Sequence, residues 1–191
     1  LATAAYQGHD LEGYLEPGHP VQQDILRHIS YMAQYPAQQI TIGTDGCSAP
    51  AHALPLYHMA LAYARLARPH KLEQPYQKAS ETLFAAANKH PEMLAGTKGF
   101  CSDLVRETSG KLVGKIGAEG VYLVGIKSHG LGIAVKIEDG SMEVLPPVIM
   151  KILEDLHILV PEELHALRQY RYTKNLNDVN YVVGHLKPAF Q

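Results

Sequence analysis

The sequence predicts an α+β layer fold on three observations. Proline-bounded stretches with apolar residues at helical spacing fill the first half, glycine-punctuated runs of β-branched residues begin near Lys111, and one more amphipathic helix follows them. Residues 1–191 are expected to form a single domain.

Residues 1–6 read as apolar helix, and domains seldom begin inside a helix, so the chain is expected to be a fragment or a processed product. His19-Pro20 puts proline at a first helical position, and Val21, Ile25, Ile29 and Met32 then recur at helical spacing up to Pro36. After the turn-rich Gly43-Thr44-Asp45-Gly46, a second helix is expected over 56–66, with Pro69 and Pro75 bounding the loop behind it. An alanine-rich third helix spans 77–88 and stops before Pro91. Residues 111–116, 120–126 and 132–137 read as three sequential antiparallel strands, with turn composition at 127–130 and 138–141 for hairpin connections. A helix over 146–156 carries Ile149, Ile152, Leu153 and Leu156 on one face. A polar loop over 172–180 then leads to a last strand, 181–186, expected to pair with the earlier three.

Composition narrows the function classes. Hydrophobic residues make up 46% and charged residues 19%, as in ordinary globular proteins, and a chain of 191 residues can bury roughly 70% of its unfolded surface. The formal net charge is -2 and no run of like charges stands out, so neither nucleic acid nor an anionic membrane is an expected partner. A small molecule is. Two cysteines, Cys47 and Cys101, are too few for a disulfide scaffold, and no signal peptide or long apolar span is visible, which fits the cytoplasm.

Three strings carry candidate chemistry. Asp45-Gly46-Cys47-Ser48-Ala49-Pro50 sets a carboxylate, a thiol and a hydroxyl on a glycine-permitted turn, which reads either as a pocket-facing loop or as a capped turn with an inert cysteine. A nucleophilic Cys47 would need a base, and His52 and His58 are present without an informative spacing. Cys47 and Cys101 lack a CxxC arrangement and the eleven histidines form no i, i+4 pair, so a zinc site made wholly within the chain is not supported. Lys115-Ile116-Gly117-Ala118-Glu119-Gly120 places a lysine at a strand end before a glycine that permits close backbone approach. It resembles the Lys-Thr-Gly element of serine β-lactamases and penicillin-binding proteins, although an exposed strand lysine accounts for it equally. Gly96-Thr97 with Cys101-Ser102-Asp103-Leu104 is a third polar cluster, and Lys136 with Asp139-Gly140 reads as a charged hairpin edge.

Taken together with Gly18-His19-Pro20-Val21-Gln22-Gln23, the span from Gly130 to Gly140, Val183-Gly184 and Pro188-Ala189-Phe190, these strings resemble the thermolabile rhizobial type of asparaginase, the L-asparaginase II family. The resemblance implies a glutaminase and serine β-lactamase-like fold. It also implies hydrolysis of L-asparagine to L-aspartate and ammonia by paired serine and lysine residues, with no organic cofactor. Under it Lys115 matches the strand lysine of the catalytic constellation, Cys47 a zinc ligand and Asp45 the acid lining the zinc site, and Asp45, Gly117 and Glu119 are the expected substrate-binding residues. A homodimer is compatible with it. The family's arginine-serine-serine segment, its adjacent lysine and its cysteine-serine-glycine-lysine-histidine string are not found here, so the nucleophile and most zinc ligands are expected upstream of Leu1, and the chain alone is expected to be inactive. Two other readings stay open: a non-catalytic ligand-binding remnant of the same fold, and a β-lactam-binding acyl enzyme suggested by the Lys-x-Gly element alone.

Overall fold

The structure, a computed structural model, describes residues 1–190. It is a mixed α+β chain that divides into two compact units, Leu1–Ala62 and Tyr63–Gln191.

In the first unit, α1 (Ala2–Gln7) ends on Gly8, whose φ of 73° is the left-handed geometry that closes many helices. Helix α2 (Pro20–Ala33) begins where the sequence places it. Proline fills the first turn, where its missing N–H costs nothing, and the His19 ring accepts the Val21 amide at 3.2 Å as the N-cap. The stretch 41–53 is more than a turn. It forms an antiparallel hairpin of β1 (Thr41–Thr44) and β2 (Pro50–Ala53), with Ile42 opposite His52. Each strand has four residues, too few to show an alternation in the sequence. Helix α3 (Leu56–Ala67) follows, and the boundary between the units falls within it.

In the second unit α4 spans Gln74–Lys89, starting earlier than expected because Pro75 lies in its first turn rather than in a loop. Two short helices follow, α5 (Glu92–Ala95) just before the third polar cluster and α6 (Phe100–Glu107), which carries its Cys101-Ser102-Asp103-Leu104 part. Strands β3 (Leu112–Gly117), β4 (Val121–Ile126) and β5 (Leu131–Lys136) form the expected antiparallel meander in the order β3-β4-β5. The first hairpin turns through Ala118, Glu119 and Gly120, with Glu119 and Gly120 at φ 57° and 71°. The 138–141 stretch follows β5 and joins no strands of this sheet. Helix α7 (Leu145–Asp155) buries Ile149 and Leu153 of the expected face, whereas Leu156 lies just past its end and is exposed, and α8 (Pro161–Ala166) and α9 (Arg168–Arg171) follow it.

The C-terminal expectation is corrected. The polar stretch contains a strand, β6 (Thr173–Leu176), and the last strand, β7 (Val182–Leu186), pairs with it instead of with the meander. Local pairing across a short turn closes a smaller loop than a return to the distant sheet, so it costs less chain entropy.

One face of the meander carries the core. Leu112, Tyr122, Val124 and Ile126 meet Leu104 and Val105 of α6 and Leu145, Ile149, Met150 and Leu153 of α7, all of them buried. Each such side chain contributes about 1.5–3 kcal/mol of transfer free energy. On the opposite face Val113 packs with Ala67 and Phe84, and a Cβ on Gly125 would lie 2.5 Å from the Tyr63 carbonyl oxygen, so only glycine fits there. Lys111 anchors the start of β3 by donating to Glu163 of α8 at 2.6 Å and to the Ile158 carbonyl at 3.1 Å.

Candidate active site

In the first unit the Asp45-Gly46-Cys47-Ser48 string forms the connection of the β1–β2 hairpin. The Asp45 amide donates to the Ala49 carbonyl at 2.9 Å and the Ser48 amide to the Asp45 carbonyl at 2.8 Å, closing a tight loop in which Ser48 takes φ 68°. The Asp45 carboxylate accepts the Gly46 amide at 2.7 Å through Oδ1 and the Cys47 thiol at 3.5 Å through Oδ2. Carboxylate and thiol therefore stand side by side, both exposed. His52 lies on β2 behind this tip, and its partial burial lowers its proton affinity below the usual histidine value. Soft and hard donors so placed fit two positions of a zinc shell, but a zinc ion takes about four ligands, and no group of three or more His, Cys, Asp or Glu side chains gathers among the described residues. Cys47 and Asp45 by themselves do not make a closed zinc site.

In the second unit Lys115 sits on β3, opposite Leu123 of β4 and half-buried. Strand β3 is an edge of its three-stranded sheet. The Lys115 Nζ donates to the Ile116 carbonyl at 2.8 Å, which folds the side chain back along its own strand. Gly117 lies two residues on, so the two share one face of the pleat. Glu119 occupies the hairpin turn beyond, exposed, with its carboxylate beside Gly140. Lys136, on β5, donates to the Glu119 carbonyl at 2.7 Å and to the Ile137 carbonyl at 2.5 Å, pinning the turn that carries Glu119 to the end of the sheet. The sequence reading took Lys136 for a charged edge residue, because a contact to a main-chain oxygen leaves no pattern in a sequence.

Behind β3 is a polar group that the motifs only hinted at. Cys101 of α6 is buried, and its Sγ accepts the Ile116 amide at 3.2 Å. On the next helical positions, Asp103 accepts the Tyr170 hydroxyl at 2.6 Å and the Arg106 guanidinium at 2.5 Å. Burial first, then the bond to Asp103, pushes the Tyr170 phenol well above its ordinary range. Burial is also the chief reason that the Tyr63 and Tyr122 phenols are raised, with the Cys101 thiol next in each case.

An edge-strand lysine flanked by glycine on an α+β frame is compatible with hydrolases in which a lysine activates a hydroxyl for acyl transfer. The family model for L-asparaginase II matches residues 1–188, and the chain belongs to that family. Asparaginase-type hydrolysis of a small amide is the general activity that this membership supports. Among curated proteins no match is found.

Proposed function

We propose that the protein takes part in hydrolysis of L-asparagine to L-aspartate and ammonia, with Lys115 as its catalytic lysine. The observation that carries the reading is the setting of Lys115: an edge strand, half-buried, followed by Gly117, in a chain of the L-asparaginase II family. A glycine two residues after the lysine leaves main chain open for a substrate to lie against the strand. The ammonium can stabilise negative charge on the amide oxygen as a tetrahedral centre forms, or exchange a proton with the attacking hydroxyl.

In this reading the nucleophile is a serine paired with a lysine, as the family resemblance implies. Its hydroxyl adds to the side-chain amide carbon, ammonia leaves with a proton, and water releases aspartate from the acyl ester. In the same reading Glu119, exposed on the turn that Lys136 holds through its carbonyl, is the residue proposed to meet the substrate's α-ammonium. Asp45 and Cys47 are proposed to serve together as part of a zinc shell. A zinc ion bound there would supply a positive charge to orient polar groups of the substrate.

The test is ammonia release from L-asparagine by residues 1–191, beside a version extended upstream, each with Lys115 and with Lys115→Met. Loss of release on substitution supports the reading. Release that survives the substitution in a folded protein removes Lys115 from it.

A further inference from the structure

Cys101 and Tyr122 form a buried pair directly behind the lysine strand, and the proposed reaction uses neither. Cys101 is 1% exposed and Tyr122 0%. In an antiparallel pair the N–H groups of a strand alternate between its partner and its free side, and the Ile116 amide, which donates to the Cys101 Sγ at 3.2 Å, faces the free edge of β3. The carbonyl of the same residue receives the Lys115 Nζ at 2.8 Å. Ile116 thus has its amide held by the thiol and its carbonyl holding the ammonium.

Tyr122 explains why the strand lies where the thiol can reach it. A Cβ on Gly114 would stand 2.9 Å from the Tyr122 Oη and 3.1 Å from Leu104 Cδ2, so the ring of Tyr122 occupies the space that glycine leaves and seats β3 close against α6. Tyr122 has no hydrogen-bond partner of ordinary length for its hydroxyl, although the Cys101 thiol is near enough to disfavour its ionisation. Its contribution at this point is shape.

We infer that Cys101 is a positioning residue for Lys115: by accepting the Ile116 amide it fixes the free edge of β3, and so fixes the carbonyl on which the Lys115 ammonium rests. The inference rests on Lys115 being the catalytic lysine only for its functional consequence, since the geometric part concerns β3 itself. Cysteine suits the position because a thiol is a weak acceptor that tolerates an apolar surrounding, whereas a free carboxylate or amide there would bury unpaired polar atoms.

The experiment uses the whole 191-residue chain as Cys101→Ala and Cys101→Ser, and reads two local quantities. One is hydrogen exchange at the Ile116 amide. The other is the rate at which an amine-acylating ester labels Lys115, followed by peptide mass spectrometry with Lys127 and Lys151 as internal references. Loss of one hydrogen bond is expected to speed Ile116 exchange about fivefold and to change Lys115 labelling by a similar factor, with the two reference lysines unmoved. The serine variant, which keeps a small side chain if alanine leaves the protein unfolded, is expected to change both about twofold, because its shorter bond to oxygen cannot span the same gap. Unchanged exchange and labelling in either folded variant overturn the inference.

The catalytic reading fails separately. If Lys115→Met spares asparagine hydrolysis while Cys101→Ala alters labelling, Cys101 positions a lysine that is not catalytic. If Lys115→Met abolishes hydrolysis and Cys101→Ala moves neither local quantity, only the positioning role falls. Where hydrolysis is measurable, Cys101→Ala is expected to lower kcat and leave KM near its starting value.

Discussion

At the scale of single residues, β3 is tuned by what its side chains leave out. Gly114→Ala would force a methyl against the Tyr122 hydroxyl and Leu104, and overpacking of this kind costs about 1–3 kcal/mol, measurable as a lower urea midpoint. Tyr122→Phe is expected to behave in the opposite sense. Its buried hydroxyl has no completed hydrogen bond, so removing it should leave stability unchanged or raise it by up to about 1 kcal/mol. A urea midpoint that falls by an amount typical of a lost hydrogen bond would show that the hydroxyl is satisfied after all. The candidate residues were legible in the sequence to the extent that their signal is local. Lys115, Gly117 and Glu119 fall within five positions, and Asp45 with Cys47 within three, so the strings could be read without a fold. The Cys101 contact to Ile116 crosses 15 positions and depends on α6, whose eight residues are too short for a clear helical period.

At the scale of elements, the meander and the longer helices were readable because each carries a periodic apolar face. The terminal hairpin was not. Strands β6 and β7 are largely exposed, with Val179, Tyr181, Val182 and Val183 open to solvent, so the alternation that marks a half-buried strand is missing. The same exposure has a dynamic consequence. A two-stranded ribbon that pairs with no other strand among the described residues is marginal in water, and its amides should exchange on the timescale of local opening. Those of β4, paired on both sides, should approach the global unfolding limit. Mass-resolved hydrogen exchange checks this. Equal protection in β4 and β7 would mean that the ribbon is covered by something further.

At the scale of the whole molecule, stability is unevenly shared between the two units. Among the described residues of the first, Ala4, Val21, Ala33 and Ile40 are the buried apolar side chains, whereas the second holds the large cluster around the meander. Residues 63–191 are therefore expected to show a cooperative denaturant transition as a separate chain, and residues 1–62 are not. A sharp transition in the shorter piece would refute this. The second unit also carries an alkaline sensitivity. Its Tyr63, Tyr122 and Tyr170 phenols are all raised above their ordinary value of 10.0, with burial the largest cause in each. The folded chain then keeps protons that the unfolded chain has released, so this stability is intact below pH 10.0 and declines as pH rises beyond it. Tyr170→Phe should flatten the decline, and it should also lower stability at neutral pH by about 1–3 kcal/mol, because the hydroxyl that donates to the charged Asp103 carboxylate is lost.

The family membership and the position of Lys115 on β3 are the observations behind the central proposal, that asparagine is the substrate and Lys115 the catalytic lysine. Ammonia release from L-asparagine, measured for the 191-residue chain and for a version extended upstream, addresses it most directly. The expected result is asparagine-dependent ammonia in at least one of the two, falling by about a hundredfold or more with Lys115→Met at unchanged circular dichroism. A folded Lys115→Met protein that releases ammonia at the parent rate, or asparagine left intact by both forms, would contradict the account.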